Sequence, residues 1–254
     1  GVFELPAGLY VTKLDTDGNF VWARGMGGTG AERPYGVATD ANGNVFTTGY
    51  FSGIADFDPG PGVSPLTADN FGDVFVSKLD GAGNFVWARR FGGPELDQGT
   101  GIAVDSAGRV YTTGRFQGTV DFDPSAGVAN RTSRGVQDAF ISSLASAGNF
   151  LWAQRIGGPS DDWGGDVALN SGGDVYVSGT FKSSADFVFS GGSINLTSAG
   201  VTDVFLAKYK PGPPGPPTPE PAQVIAPLSG TTLTGSSQQF SWTPGVLVSE
   251  YRFR

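Results

Sequence analysis

Three carboxylates, Glu32, Asp97 and Asp162, are spaced 65 residues apart along the chain. If equivalent units surround one axis, these candidate ligand-binding side chains form a rim at one end of it. Carboxylate oxygens suit Ca²⁺ or the hydroxyl groups of a sugar. The last copy is the most site-like, because Asp161 and Trp163 flank it and an aromatic ring can stack on a sugar. The alternative is that each carboxylate binds backbone N–H groups of its own glycine-rich loop.

A second set of carboxylates lies in a D-F-D-P motif. Asp56 with Asp58, and Asp121 with Asp123, are two residues apart and would share one face of a strand. They are candidate Ca²⁺ ligands, although Ca²⁺ takes about six to eight oxygens and would need further ones. The third copy has Val188 in place of its second aspartate, which weakens a metal role in every repeat. The alternative is a turn whose charge and Pro guard an exposed strand edge.

The chain contains no His and no Cys. This excludes Ser-His-Asp and Cys-His catalysis, thiol chemistry and Cys-based zinc sites. Catalysis would have to use carboxylates, as glycoside hydrolysis does with two of them about 5–10 Å apart. Glu95 with Asp97, or Asp161 with Asp162, are the pairs at hand. Neighbours on one loop rarely oppose each other across a substrate, and the repeats are uniform, so we predict no catalytic residues and a non-enzymatic protein.

The composition indicates many short strands with tight turns. The 254 residues include 41 Gly and 17 Pro and are 16% charged, yet 19 Phe, 7 Tyr and 5 Trp supply a core. The net charge of −8 argues against a nucleic-acid partner, because such affinity comes largely from Lys and Arg neutralising phosphates. No apolar stretch approaches the roughly 18 residues of a membrane-spanning helix.

The chain is an internal repeat with a period of 65 residues. Five series share it: Trp22, Trp87 and Trp152; Phe20, Phe85 and Phe150; Gly49, Gly114 and Gly179; Asp56, Asp121 and Asp186; Asp73, Asp138 and Asp203. Alternating patterns in one unit predict strands A to D at 101–104, 110–116, 139–144 and 150–156. Two hairpin turns per unit carry Gly where a positive φ is needed. These glycines are Gly43, Gly108 and Gly173, and Gly18, Gly83 and Gly148.

Four antiparallel strands repeated head to tail predict an all-β fold, a β-propeller of four-stranded blades. The small residues of strand A suit the crowded axis, and the aromatic strand D suits the rim. We predict that Trp22, Trp87 and Trp152 pack between blades, with a ligand platform as the alternative. A parallel β-helix is the alternative fold, but its repeat is much shorter than 65 residues.

Three stretches resemble the bacterial SBBP β-propeller repeat: DVFVSKLDGAGNFVWARRFGG, GIAVDSAGRVYTTGRF and GTVDFDP. The resemblance covers about residues 1–209. It implies a propeller in a secreted or surface-exposed bacterial protein and implies little about the ligand. NHL-type propellers share only the GIAVD hairpin, which is a weaker match.

The pattern predicts three regions. Residues 1–209 hold three blades and part of another, 210–221 form a Pro-rich linker, and 222–254 resemble the start of an immunoglobulin-like or fibronectin-III-like sandwich. A closed propeller needs about four to eight blades and a sandwich about 100 residues. We therefore expect a fragment of a longer protein with neighbouring domains, or a ring closed between chains.

These features predict a non-enzymatic scaffold or binding module of a secreted or cell-surface bacterial protein. Its loops would present a surface to a glycan, a matrix polymer or another protein. The alternative is an accessory propeller region of an extracellular polysaccharide-active enzyme. The only cofactor that the sequence suggests is Ca²⁺.

Overall fold

The computed structural model describes residues 8–69, 71–187, 194–210 and 223–224. These residues form 18 strands and no helix. Within them, no helix is long and apolar enough to cross a membrane. The strands are β1 Leu9–Leu14, β2 Phe20–Gly28, β3 Glu32–Thr39, β4 Val45–Phe51, β5 Ile54–Asp56, β6 Pro65–Thr67, β7 Asp73–Leu79, β8 Phe85–Phe91, β9 Gln98–Val104, β10 Val110–Asp121, β11 Asn130–Leu144, β12 Phe150–Ile156, β13 Trp163–Leu169, β14 Val175–Phe181, β15 Ser184–Asp186, β16 Asn195–Thr197, β17 Asp203–Tyr209 and β18 Gln223–Val224.

The strands build consecutive blades of a β-propeller. Blade one contributes β1 and β2, blade two is the sheet β3-β4-β7-β8, blade three is β9-β10-β11-β12, and blade four is β13-β14-β17-β18. The pairings are antiparallel and follow the predicted order A, B, C, D. Among the described residues no strand pairing joins blade four to blade one.

The predicted strands and turns are confirmed, with longer bounds for three strands. Strand D of blade three is β12, as predicted, whereas β9 begins three residues before the predicted strand A. Strands β10 and β11 extend towards each other because Thr119 to Asp121 pair with Asn130 to Thr132 as a second hairpin arm. All six predicted turn glycines have a φ between 76° and 82°.

The apolar core lies between the blades. One cluster joins Phe46 and Val76 of blade two to Val110 and Phe140 of blade three. Two further clusters join blade one to blade two and blade three to blade four in the same way. Each cluster thus covers the facing apolar surfaces of two neighbouring blades from water.

The first strands of successive blades approach closely at the axis, as predicted from their small residues. Thr100 Oγ1 of β9 donates a hydrogen bond to the Gly164 carbonyl of β13 at 2.8 Å. A Cβ added at Gly101 would lie 2.6 Å from Asp166 Oδ1, which leaves no room for a larger residue.

The tryptophans of strand D pack between blades, as predicted. Trp87 Nε1 donates to the Ser146 carbonyl at 3.1 Å, and Arg89, which stacks on the Trp87 ring, donates to the carbonyls of Gly148 and Ala147. Strand D of blade two therefore binds the turn between strands C and D of blade three. The corresponding contacts between blades one and two are made by Trp22 and Arg24 with Gly81, Ala82 and Gly83.

The D-F-D-P segment of each repeat binds to the outer strand of the preceding blade. Strand β5 pairs with β2, and isolated bridges join Gly92 to Asp121 and Gly157 to Asp186. The edge-guard alternative is therefore wrong, because the segment pairs with a neighbouring edge instead of hindering such pairing.

The phenylalanine inside this motif fills the joint between two blades. Phe122 is fully buried, and its ring centroid lies 5.2 Å from Phe91 of blade two, 5.5 Å from Phe116 and 5.1 Å from Phe140. Such pairs add about 0.5–1.5 kcal/mol beyond the area that they bury. Equivalent clusters are Phe51, Phe57 and Phe75, and Phe181, Phe187 and Phe205.

Strand β18 lies at the strand D position of blade four. Its backbone pairs Val224 with Ala207 and Gln223 with Lys208. The rest of the proposed linker after residue 210, and of the proposed sandwich segment, lies outside the described residues.

We predict that Ser183→Gly stabilises the protein by about 0.5–1 kcal/mol. Ser183 has a φ of 59°, whereas the equivalent positions in the other repeats are Gly53 and Gly118, with φ of 68° and 62°. A side chain in this left-handed region costs about 1–2 kcal/mol, part of which the flexibility of an unfolded glycine offsets. Chemical denaturation measures the change in the free energy of unfolding. Ser184→Gly, in strand β15, is the control and should destabilise; a loss of stability in Ser183→Gly would contradict the prediction.

Candidate functional site

Two of the predicted rim carboxylates lie inside the protein and bind backbone. Asp97 is fully buried, and its carboxylate accepts hydrogen bonds from Gly93 N at 2.8 Å and Gln117 N at 3.0 Å. The Asp162 carboxylate accepts from Gly158 N at 2.7 Å and Lys182 N at 3.1 Å. Each carboxylate therefore ties the loop between strands D and A to the segment that follows strand B. This geometry favours the alternative in which these carboxylates organise their loops.

Burial raises the pKa of these carboxyl groups. The pKa of Asp97 rises to about 7 and that of Asp162 to about 6, because loss of hydration disfavours the charged form more than the N–H donors stabilise it. Glu32, the equivalent residue of blade two, is half-buried, and its pKa is also raised by burial. Its Oε1 atom has no hydrogen-bond partner among the described residues.

A second buried carboxylate lies beside each of these two. Asp73 accepts from Asp69 N at 2.9 Å and pairs with Arg90, and Asp138 accepts from Arg134 N at 2.9 Å and pairs with Arg155. The negative charge of Asp73 contributes to the raised pKa of Asp97, after the larger effect of burial. These four aspartates thus bind backbone N–H groups, and two of them also pair with arginines of the protein itself.

The aspartates of the D-F-D-P motif organise their own loops. Asp56 Oδ1 accepts hydrogen bonds from Asp58 N at 3.0 Å and Ser64 N at 2.7 Å. Asp121 Oδ1 accepts from Asp123 N at 3.0 Å and Ala129 N at 2.8 Å. The two carboxylates of each motif are therefore linked through the backbone of the turn.

Calcium at these motifs stays a prediction. No group of three or more Asp or Glu side chains gathers into a metal-binding arrangement within the described part of the chain. A rim groove of about 380 Å³ does include Asp121 and Asp123, with Arg89 and Arg90 on its other wall. Arg90 is held by Asp69 and Asp73, and Arg89 by backbone carbonyls, so these cations are already paired.

One pair of facing positions on the same end of the blades changes residue type in every repeat. Between the first residues of strand A and the last of strand B, the facing pairs are Arg33 with Tyr50, Gln98 with Arg115, and Trp163 with Thr180. We call these six residues the variable row. Its neighbours in strand B do not vary: Gly precedes and Phe follows the row position in all three repeats.

A glycine and a bulge shape the row. A Cβ added at Gly114 would lie 1.9 Å from the Gln98 carbonyl oxygen, so only glycine lets strands A and B approach here. The pairing of strands A and B skips Thr100, and it skips the equivalent residues Tyr35 and Gly165. Such β-bulges re-aim side chains at the ends of strands. The bulge leaves the Tyr35 side chain exposed, with its ring centroid 6.1 Å from that of Tyr50.

The row continues across the boundaries between blades. The Arg115 guanidinium of blade three lies 4.5 Å from the ring centroid of Trp163 of blade four. Its Nε donates to Gln98 Oε1 at 2.8 Å. On the other side, Tyr50 of blade two lies near the loop that leads into blade three. Both flank Gly72: a Cβ added there would lie 3.1 Å from the Tyr50 ring and 3.6 Å from Leu96 of that loop.

The structure separates the residues that the sequence grouped as the most site-like copy. Trp163 is 45% exposed and belongs to the row, whereas Asp162 is fully buried below it. Asp161 is half-buried and pairs with Lys182 at 3.1 Å. Sequence reasoning missed Arg33, Tyr50, Gln98 and Arg115. The signal that identifies them is the change of residue type between invariant neighbours of the repeat.

The comparisons with known proteins agree with this architecture. The family described as SBBP, beta-propeller repeat, matches residues 86–115, which run from strand D of blade two to strand B of blade three. The repeat is of the SBBP β-propeller type. This confirms the resemblance in repeat type that the sequence showed.

Two curated proteins are similar over part of their length. The uncharacterized WD repeat-containing protein L264 of Acanthamoeba polyphaga mimivirus is 32% identical over 117 residues, 44% of this chain and 8% of that protein. The regulatory protein FlaEY of Caulobacter vibrioides is 27% identical over 171 residues, 67% of this chain and 17% of that protein. The matches thus span less than a fifth of either relative. They support a repeat module with a binding or scaffold role.

We predict that the protein is more stable at about pH 5 than at about pH 8. The folded pKa values of Asp97 and Asp162 lie above the usual value of 3.8, so the folded state retains protons that the unfolded chain releases. The stabilisation is complete below about pH 4 and is lost as the pH rises through 6 and 7. One kcal/mol moves the midpoint of a domain of this size by about 2–4 °C, so several degrees are expected between these pH values.

Thermal melting of Asp97→Asn checks the cause. This variant keeps one acceptor oxygen but cannot ionise, so its midpoint should vary less with pH than that of the original protein. A midpoint that rises steadily from about pH 5 to pH 8, or an unchanged pH dependence in the variant, would contradict the assignment.

We predict that Asp121→Asn melts within a few degrees of the original protein, with or without calcium. Asn can keep the Oδ1 acceptor for Asp123 N and Ala129 N, whereas Asp121→Ala loses it and should cost about 1–3 kcal/mol. Thermal melting in calcium and in chelator measures both effects. A calcium-dependent rise in the midpoint that disappears in Asp121→Asn would instead establish the metal site.

Proposed function

We propose that this chain is a non-enzymatic ligand-binding module of a secreted or cell-surface bacterial protein, and that the variable row binds a glycan. The observation that supports this most is the row itself. It places different polar and aromatic side chains at equivalent positions, next to a Gly and a Phe that are the same in all three repeats. Uniform positions hold the fold, and positions that differ are available for contacts with a ligand.

The row, together with the bulge residue Tyr35 beside it, has the chemistry of a sugar-binding surface. Trp163 is 45% and Tyr35 51% exposed, and flat rings of this kind stack on the C–H faces of sugar rings. Arg33, Arg115 and Lys182 lie nearby and can donate hydrogen bonds to hydroxyl groups. The bacterial part of the proposal is supported by the similarity to a Caulobacter protein, and the surface location is proposed from the resemblance of the repeat.

Each carboxylate pair that the sequence offered for hydrolysis contains a buried member. Asp97 and Asp162 are fully buried and bind backbone, and Asp161 pairs with Lys182. In the accessory alternative, the same row would hold a polysaccharide while a separate domain of a longer enzyme cleaves it.

Glycan-array binding of the full chain tests the proposal, with Trp163→Ala as the decisive variant. We expect binding without hydrolysis, and at least a tenfold loss of affinity in the variant, because removing the ring removes both its buried apolar area and its stacking contact. Phe20→Ala is the control: Phe20 is also 45% exposed but lies at the start of strand β2. Equal binding by Trp163→Ala would refute the site, and hydrolysis by the chain would refute the non-enzymatic role.

A further inference from the structure

We propose that the ligand of the variable row is an anionic polysaccharide, whose uronate carboxylates bind Arg115 and Arg33 while its sugar rings stack on Trp163 and Tyr35. This inference rests on the proposed function and names its ligand class. It concerns positive charge on one face of a chain whose net charge is −8.

Arg115 is held ready for a carboxylate. Its Nε is bound to Gln98 Oε1 at 2.8 Å, and its guanidinium lies 4.5 Å from the Trp163 ring centroid. Gln98 is buried, so it fixes the plane of the guanidinium. The terminal nitrogens are left to donate two parallel hydrogen bonds, which is the geometry that a carboxylate accepts.

The two arginines of the row are not neutralised by acids of the described residues. No described carboxylate forms an ion pair with Arg33 or Arg115. Arg90, Arg109 and Arg155 each pair with an aspartate, whereas Arg24, Arg89 and Arg131 lack an acid but donate to backbone carbonyls. Within the described part of the chain, Arg115 has neither an acid nor a backbone carbonyl on its terminal nitrogens, so its charge is available to an anion from outside.

A polysaccharide fits this surface better than an acidic peptide. The exposed rings of Trp163 and Tyr35 lie in blades four and two, with Arg115 in blade three between them. An extended uronate polymer offers a carboxylate and a flat C–H face on each sugar, so it can meet both kinds of side chain along the row. An acidic peptide offers carboxylates without the flat faces.

Equilibrium binding of the full chain to polygalacturonate and alginate tests the inference, each compared with its carboxyl-reduced form. The two forms differ only in the carboxylate. We expect at least tenfold tighter binding to the acidic form of one polymer or both, with an affinity that falls as NaCl is raised because salt screens the charges. Arg115→Gln should weaken binding to the acidic form tenfold or more. Arg115→Lys should lie between, since it keeps the charge but loses the two parallel bonds.

Arg109→Gln is the matched control. Arg109 precedes the other end of strand β10, about 20 Å from Arg115 at 3.3 Å per residue, and also lies over an aromatic ring, 6.0 Å from the centroid of Tyr111. The same charge is removed, so long-range effects of net charge are equal in the two variants. Thermal melting of each variant establishes that it is folded, and the control should bind as the original protein does.

Three outcomes would overturn the inference. Equal binding to the acidic and carboxyl-reduced polymers would show that the ligand is a neutral glycan. Equal losses of affinity in Arg115→Gln and Arg109→Gln would show that the charge effect does not come from the row. Polyglutamate binding as tight as the polysaccharide would assign the row to acidic peptides. Failure to bind any glycan on the array, neutral or acidic, would instead refute the proposed function itself.

Discussion

The packing of one phenylalanine between two blades is the contact on which the rest of the structure depends. Phe122 reaches back from blade three into the joint formed by Phe91 of blade two and by Phe116 and Phe140 of its own blade. The aspartates on either side of it fold the hairpin that carries it. Because each joint needs two blades, a single 65-residue unit cannot bury its own apolar faces. Each blade is therefore stabilised by the blades next to it along the chain.

Many of the acidic residues accept hydrogen bonds from the protein's own backbone, which explains why net charge is a poor guide to the variable row. The turn aspartates Asp15, Asp40, Asp80 and Asp105 each accept N–H groups from the residues two and four positions on. Asp97 and its equivalents tie the loops together below the row. A strongly acidic chain can therefore present arginines and aromatic rings on one face.

The sequence predicted what depends on local pattern. Alternation placed strand β12 to the residue, and the turn glycines have the expected φ, because both follow from contacts within a few residues. It did not predict that Asp97 is buried, since burial is decided by a loop from elsewhere in the repeat. The sequence also suggested the two acids of the D-F-D motif as calcium ligands and gave no role to Phe122. The packing role of Phe122 depends on contacts with the preceding blade.

The variable row escaped sequence reasoning for a different physical reason. Reading a repeat for its constant residues finds the positions that hold the blades, and a ligand-binding residue is by nature absent from that set. A residue that differs between repeats can affect either the packing of the blades or the exposed surface, and its surroundings distinguish the two. Gln154 replaces the arginine of Arg89 at a strand facing the next blade, which concerns packing. Arg115 and Trp163 depart from the repeat where Gly114 and the bulge keep the backbone constant, so only the displayed side chain changes. The proposed binding surface therefore rests on a constant backbone with changing side chains at its open end.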